Sequence, residues 1–463
     1  MTHQLPENRS ITQVPGQEDL VAVPSSPGGV AYVPVDEDAD FVPPKGRTAA
    51  AISLASAQSI DNTEGGVSKV FFPQIMNAFE VGNSALGLLN SLGNFARMLF
   101  GPAWAIAADR YGRKKILFIV TGLWGLWTLA TGFAQTWNQL LVLYGISLIG
   151  TVASEPIMNG LLGSLYAKSE RGKAFGTVRG ISSFIGMALT PALGQFGDNP
   201  NGWRYAMFAM GALSIISGVL ILIFVHEPER SAQRISEDPD AGVFKWSDAA
   251  KLFKIPTLVG MAVMLPLITS LVMFGFQAKF WATDLGFGVK NASYLYTIMQ
   301  LGMLCSAFLG GFLGDFFQRR FGDTGRIMLF QLYALCFAAM TFVAFQVKFS
   351  YHAYYVVAFC LGLVFSIGFS GCVLPMVSSV TPKQLSATGF AVLFSLVQGF
   401  LTAIYSLATG WMADQFGLQR ALLYFVTIPY ILNAVLWFMF YKIYPKDVAL
   451  QRERTQMIEQ GTF

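Results

Sequence analysis

The chain has 463 residues, and a hydrophobic content of 54%, a charged content of 13% and a mean hydropathy of +0.50 place it outside the range of ordinary soluble domains. The net charge of +4 gathers in short runs between apolar stretches and forms no basic face, which argues against nucleic acid as a partner. Cys305, Cys336, Cys360 and Cys372 fall inside apolar stretches without CxxC or Cys/His ligand spacing, so neither a disulfide framework nor a metal site is expected.

Residues 1–48 are rich in Pro, Ser and Gly, carry the acidic run Asp36 to Asp40, and lack a basic stretch leading into an apolar one. They read as a disordered tail and not as a signal peptide. A bilayer core about 30 Å thick takes roughly 20 apolar residues per helix. Stretches of that kind are predicted at 49–78, 84–107, 115–134, 139–165, 173–196 and 203–225, then at 256–280, 291–315, 326–347, 352–378, 385–410 and 419–444. The expected fold is therefore an all-α membrane protein of twelve transmembrane helices. Its organisation is an N-terminal six-helix bundle over 49–225, a linker over 226–254, a C-terminal six-helix bundle over 255–444 and a tail over 445–463. Basic residues follow helix 2 (Arg110, Arg113, Lys114, Lys115), helix 4 (Lys168, Arg171, Lys173) and helix 8 (Arg319, Arg320, Arg326), whereas the loops after helices 1 and 3 have none. The positive-inside rule then puts both termini and the linker in the cytoplasm, in a multi-pass cell membrane protein of the inner or plasma membrane.

A small residue four positions before an Asp closes helices 2, 5, 8 and 11: Ala105 and Asp109, Gly194 and Asp198, Gly311 and Asp315, Gly410 and Asp414. That recurrence points to four related three-helix units. Small residues let helix backbones approach, and an Asp at a helix end accepts hydrogen bonds from the free N–H groups of another helix.

The run from Ala105 to Lys115, with Asp109, Arg110, Gly112 and Arg113 at the expected spacing, resembles the signature Gly-x-Leu-Ala-Asp-Arg-x-Gly-Arg-Lys of the major facilitator superfamily. The second copy, Gly311 to Asp315, lies where that family repeats it, and Gly186-x4-Pro191-x2-Gly194 partly matches a motif associated with its antiporters. The resemblance implies two pseudo-symmetric six-helix bundles that rock around a midplane site, with Asp109, Arg110, Gly112, Arg113 and Asp315 as a conformational latch. Asp61-Asn62 and the run to Arg319-Arg320 also resemble a Spinster-like branch, whose members are associated with lysolipid and sphingolipid-type substrates. Here Asn62 replaces the usual Arg, Tyr144 takes the place of a helix 4 arginine, and Glu155 carries an acid expected at Thr151.

Ionisable residues inside spans each cost about 2.5–3.5 kcal/mol if they face lipid, so they are expected to face the protein interior or an aqueous cavity. Asp61 and Glu64 in helix 1, Arg97 in helix 2 and Glu155 in helix 4 form the candidate proton-coupling cluster, Asp61 and Glu155 as the proton carriers and Arg97 as their counter-charge. Desolvation and a neighbouring negative charge both favour the proton-carrying form of a carboxyl. A permanently paired network that only holds helices together is the competing reading. Lys69, nearer the outer end of helix 1, is expected to snorkel to the interface. The second half offers no comparable charge, and Asn94, Asn159, Gln277, Tyr296, Gln300 and Gln398 are the candidate substrate-cavity residues.

One charged wall and one apolar, aromatic wall suit an amphipathic molecule. The expected function is proton-coupled export of a small amphipathic or hydrophobic compound by alternating access, by a monomer that needs no cofactor. A uniporter or importer of an organic anion bound by Arg97, and a transporter-like sensor or scaffold, are the alternatives. An enzyme is not expected, because no nucleophile set or phosphate-binding loop stands out among His3, His226 and His352.

Overall fold

A computed structural model describes residues 46–226, 252–382 and 389–459, together with 43–44, 385 and the two strands of an N-terminal hairpin. β1 (Leu20–Ser26) and β2 (Gly29–Pro34) pair antiparallel, with Val23 opposite Ala31. This hairpin lies within the segment read from composition as a disordered tail, where valine-rich runs favour extended backbone. The rest of that segment and nearly all of the 226–254 linker lie outside the described residues.

Twelve helical rods follow among the described residues. The N-terminal six are α1 (Arg47–Val70), α2 (Asn83–Tyr111), α3 (Arg113–Gly132), α4 (Trp137–Leu165), α5 (Lys168–Gly194) and α6 (Gly202–Phe224). The C-terminal six are α7 (Pro256–Asp284), α8 (Gly288–Phe321), α9 (Gly325–Gln346), α10 (Tyr351–Val380), α11 (Ala391–Phe416) and α12 (Leu418–Arg454). Eight stretches of the described chain are long and apolar enough to cross a membrane, and one of them, Gly288–Gln346, contains both α8 and α9. The rods outside this set are α1, α2 and α5, which carry Asp61, Glu64 and Lys69, Arg97, and Arg179 respectively. Charged residues lower their mean hydropathy below that of the other rods.

Local chemistry sets the helix ends and breaks. Thr136 caps α4 by accepting a hydrogen bond from the Gln139 backbone N–H. Gly112 at φ 96° and Gly417 at φ 87°, each three residues after a repeat Asp, turn the chain from α2 into α3 and from α11 into α12. Pro156 has no N–H to offer the carbonyl four residues back, and α4 is interrupted at Val152 and Ala153.

Each half buries its own apolar interior. One cluster gathers Leu54, Leu117, Leu161 and Ile221 within the N-terminal half, and a larger one runs through the C-terminal half and the seam between halves. The outer surface is apolar as well: Phe308 and Phe312 are 76% and 70% exposed, and Val356 and Phe438 are each 65% exposed. Large side chains exposed in such numbers suit lipid rather than water as the surrounding medium.

Candidate functional site

A cavity of about 580 Å³ opens between the two halves. On α1 its wall is the stripe Asp61, Gly65 and Lys69, spaced i, i+4, i+8. Asn90, Asn94 and Arg97 reach it from α2, Tyr144 and Thr151 from α4, and Ser182 and Thr190 from α5. The C-terminal half contributes Leu271 and Phe274 from α7, and Tyr296, Gln300 and Met303 from α8. Phe274 and Tyr296 touch, their ring centroids 5.2 Å apart.

The two α1 acids part company. Asp61 lines the cavity at 6% exposure and accepts a hydrogen bond from Thr121 Oγ1 at 3.3 Å, Thr121 lying in a π-helical stretch of α3. Glu64, at 3% exposure, does not line it. Its Oε1 accepts from Thr128 Oγ1 of α3 and from Ser147 Oγ of α4 at 2.6 Å, while its Oε2 accepts from Ser214 Oγ of α6 at 3.3 Å. One carboxyl thus ties α1 to each of its neighbours α3, α4 and α6, and each hydroxyl is satisfied in a dry interior. Ser68, one turn further along α1, meets Tyr144 Oη at 2.7 Å.

The remaining candidates divide in the same way. Arg97 lines the cavity without pairing with Glu64 or Asp61 among the described residues, so the counter-charge arrangement expected from the sequence is not formed here. Glu155 is exposed and lies off the cavity wall, because the break at Val152 and Ala153 turns the second part of α4 out of register with Thr151. Asn94, Tyr296 and Gln300 line the cavity, whereas Asn159, Gln277 and Gln398 do not. Gln277 is fully buried, and its amide finds no hydrogen-bond partner among the described residues.

The halves close on each other at the end away from the basic loops, and two repeat Asp residues make that closure. Asp414 at the end of α11 accepts from the backbone N–H groups of Asn83 and Ser84 and from Ser84 Oγ, capping α2 of the other half. Small residues let the seam form: a Cβ on Gly87 would meet the Ser406 carbonyl oxygen at 2.4 Å, and one on Gly410 the Asn83 oxygen at 2.7 Å. On the opposite flank Asp198 pairs with Lys290 at 3.2 Å, and Gln195 donates to Tyr294 Oη at 2.7 Å. Deeper along the α2–α11 seam, Ser91 Oγ donates to the Ala403 carbonyl at 2.6 Å.

At the basic-loop end the Asp315 copy stays within its own half. Asp315 pairs with Arg326 at 2.9 Å, and Arg326 also donates to the Gly371 carbonyl at 2.6 Å, joining α8, α9 and α10. Arg113 donates to the Gly160 carbonyl at 3.1 Å, and Arg110 stacks on Tyr111 at 5.7 Å. The side chain of Asp109 lies outside the described residues.

Lys69 does not snorkel to the interface as expected from the sequence. It lines the cavity, its Nζ 5.1 Å from the centroid of the Phe274 ring. The i, i+4, i+8 spacing Asp61, Gly65, Lys69 is the sequence signal that could have placed it there.

With this geometry in place, comparison with known proteins gives a consistent result. The profile of the Major Facilitator Superfamily matches residues 54–402. Protein spinster homolog 1 of Bos taurus is 25% identical over 192 residues, 40% of this chain and 36% of that relative. Efflux pump FUB11 of Gibberella moniliformis is 28% identical over 211 residues, 44% of this chain and 34% of that relative. Both matches therefore span well under half of the relative's length. A crystal structure of a bacterial homologue to the human lysosomal transporter Spinster, in an inward-facing and unoccupied conformation, superposes with a TM-score of 0.71 at 18% identity. It covers 87% of this chain and 98% of that chain, a likeness of fold.

Proposed function

Since the chain belongs to the major facilitator superfamily, we propose that it is a secondary transporter that moves a small amphipathic or hydrophobic compound across the membrane, coupled to protons. The observation that carries this reading is a cavity between the halves, closed at one end by the α2–α11 and α5–α8 seams and faced by an acid, Asp61. With the basic loops in the cytoplasm, the closed end faces outward and the cavity is reached from inside, so the chain rests inward-facing. Reversal requires the Asp414 and Asp198 contacts to break while the Asp109 and Asp315 loops engage across the halves. Both walls of the cavity come from one chain, so a monomer suffices.

Asp61 is the proton carrier in this scheme. It faces the transport path and accepts a hydrogen bond from the Thr121 hydroxyl rather than from a cation. Glu64, held by hydroxyls from α3, α4 and α6, positions α1. The partly polar wall and the aromatic wall of Phe274 and Tyr296 suit a molecule with both kinds of surface. Outward movement accords with the partial antiporter motif and the efflux-pump relative. The testing experiment is flux from proteoliposomes across an imposed pH gradient with a panel of lipids and drugs. Proton movement accompanying the transported compound supports the reading, and compound flux with no proton movement, the behaviour of a uniporter, contradicts it.

A further inference from the structure

Two cations face the cavity without a carboxylate of their own. Lys69 and Arg97 both line it, and among the described residues neither donates a hydrogen bond nor forms an ion pair. Lys69 rests against the face of Phe274, a contact that attracts the ammonium but leaves its charge in place. Nearby acids do not serve them: Asp61 is bonded by Thr121, and Glu64 is bonded by Thr128, Ser147 and Ser214 off the cavity wall. The facing wall from α7 and α8 brings Phe274, Leu271 and Met303 and no formal charge. Like charges that line one cavity repel, and an anion lying between them relieves that repulsion.

We propose that Lys69 and Arg97 form the seat for an anionic group on the transported amphiphile, a carboxylate, sulfate or phosphate, with its apolar body lying along Leu271, Phe274 and Met303. The planar guanidinium of Arg97 matches two oxygens of such a group, and Lys69 supplies a point charge from α1. The inference deepens the transport reading and rests on it for the statement that the bound anion is cargo.

The test uses the full chain in nanodiscs of neutral lipid and three probes that share one alkyl chain: laurate, lauryl alcohol and lauryltrimethylammonium, at a pH where laurate is ionised. Laurate is expected to bind about tenfold or more tighter than either of the others. Lys69→Gln and Arg97→Gln are each expected to remove most of that preference, and Lys69→Arg to restore it, with thermal unfolding as the check that each variant folds. Equal binding of the three probes, or laurate binding that survives the Lys69→Gln/Arg97→Gln double substitution in a folded protein, overturns the seat. Binding is read without flux, so failure to transport any probe would sink the transport reading and leave the seat standing, while equal binding would sink the seat alone.

Discussion

Replacing Asp414 with Ala tests whether the end of α11 locks the two halves together. The wild-type carboxylate accepts from the Asn83 and Ser84 backbone N–H groups and from Ser84 Oγ, all on the first turn of α2. Loss of a helix N-cap costs about 0.5–2 kcal/mol, and an anion beside a helix N-terminus adds about 0.3–1 kcal/mol. Asp414 is exposed, so solvent screening keeps the total to roughly 1–2 kcal/mol, a five- to thirtyfold shift away from the sealed state. Hydrogen exchange read by mass spectrometry in nanodiscs reports it directly: amides at the start of α2 and the end of α11 should exchange faster together by about that factor. Asp414→Asn should fall between, because its amide oxygen still accepts. Unchanged exchange in the Ala variant would refute the cap, and acceleration confined to Asn83 and Ser84 would reduce it to a local helix end with no bearing on closure.

Gly87→Ala places a methyl group 2.4 Å from the Ser406 carbonyl oxygen, so α2 and α11 must separate; distances between spin labels on those two helices should lengthen, and an unchanged distribution would contradict the tight seam. Glu64→Leu leaves Ser214 Oγ without its acceptor and Thr128 and Ser147 with only each other, a loss of about 1–3 kcal/mol for each hydroxyl left unsatisfied, and should lower the unfolding temperature more than Glu64→Gln does. Equal unfolding temperatures for the two variants would count against the hydroxyl cage. Lys290→Ala removes a pair whose Asp198 side chain is 73% exposed, a change of about 0.2–1 kcal/mol, and should leave stability and exchange nearly as they were. A loss as large as that of Asp414→Ala would show that the α5–α8 flank carries the closure instead.

The membrane class, the all-helical fold and the four repeat Asp positions were legible in the sequence because each is a linear signal: hydropathy over a span, or a fixed offset between a small residue and an acid. The site was legible only in part. Helix period places Asp61, Glu64 and Lys69 on α1 but does not say which neighbour each faces. Two stripes through the same segment, Asp61–Gly65–Lys69 and Glu64–Ser68, were equally regular, and only the packing of α3, α4 and α6 assigns the second to the interior of the half. Glu155 stands one helical turn after Thr151 in the sequence, but the helix breaks between them at Val152 and Ala153. The repeats carried a further distinction that no offset reveals: Asp414 and Asp198 work across the halves, while Asp315 pairs within its own.

In the proposed scheme Asp61, facing the cavity, carries the coupled proton. Purified wild type and Asp61→Asn, reconstituted in proteoliposomes with one transported amphiphile, should both exchange labelled for unlabelled compound, because the cavity and its gates are intact. Only the wild type should accumulate the compound under a pH gradient, and only its flux should change with pH. Gradient-driven accumulation by Asp61→Asn equal to that of the wild type would contradict the account.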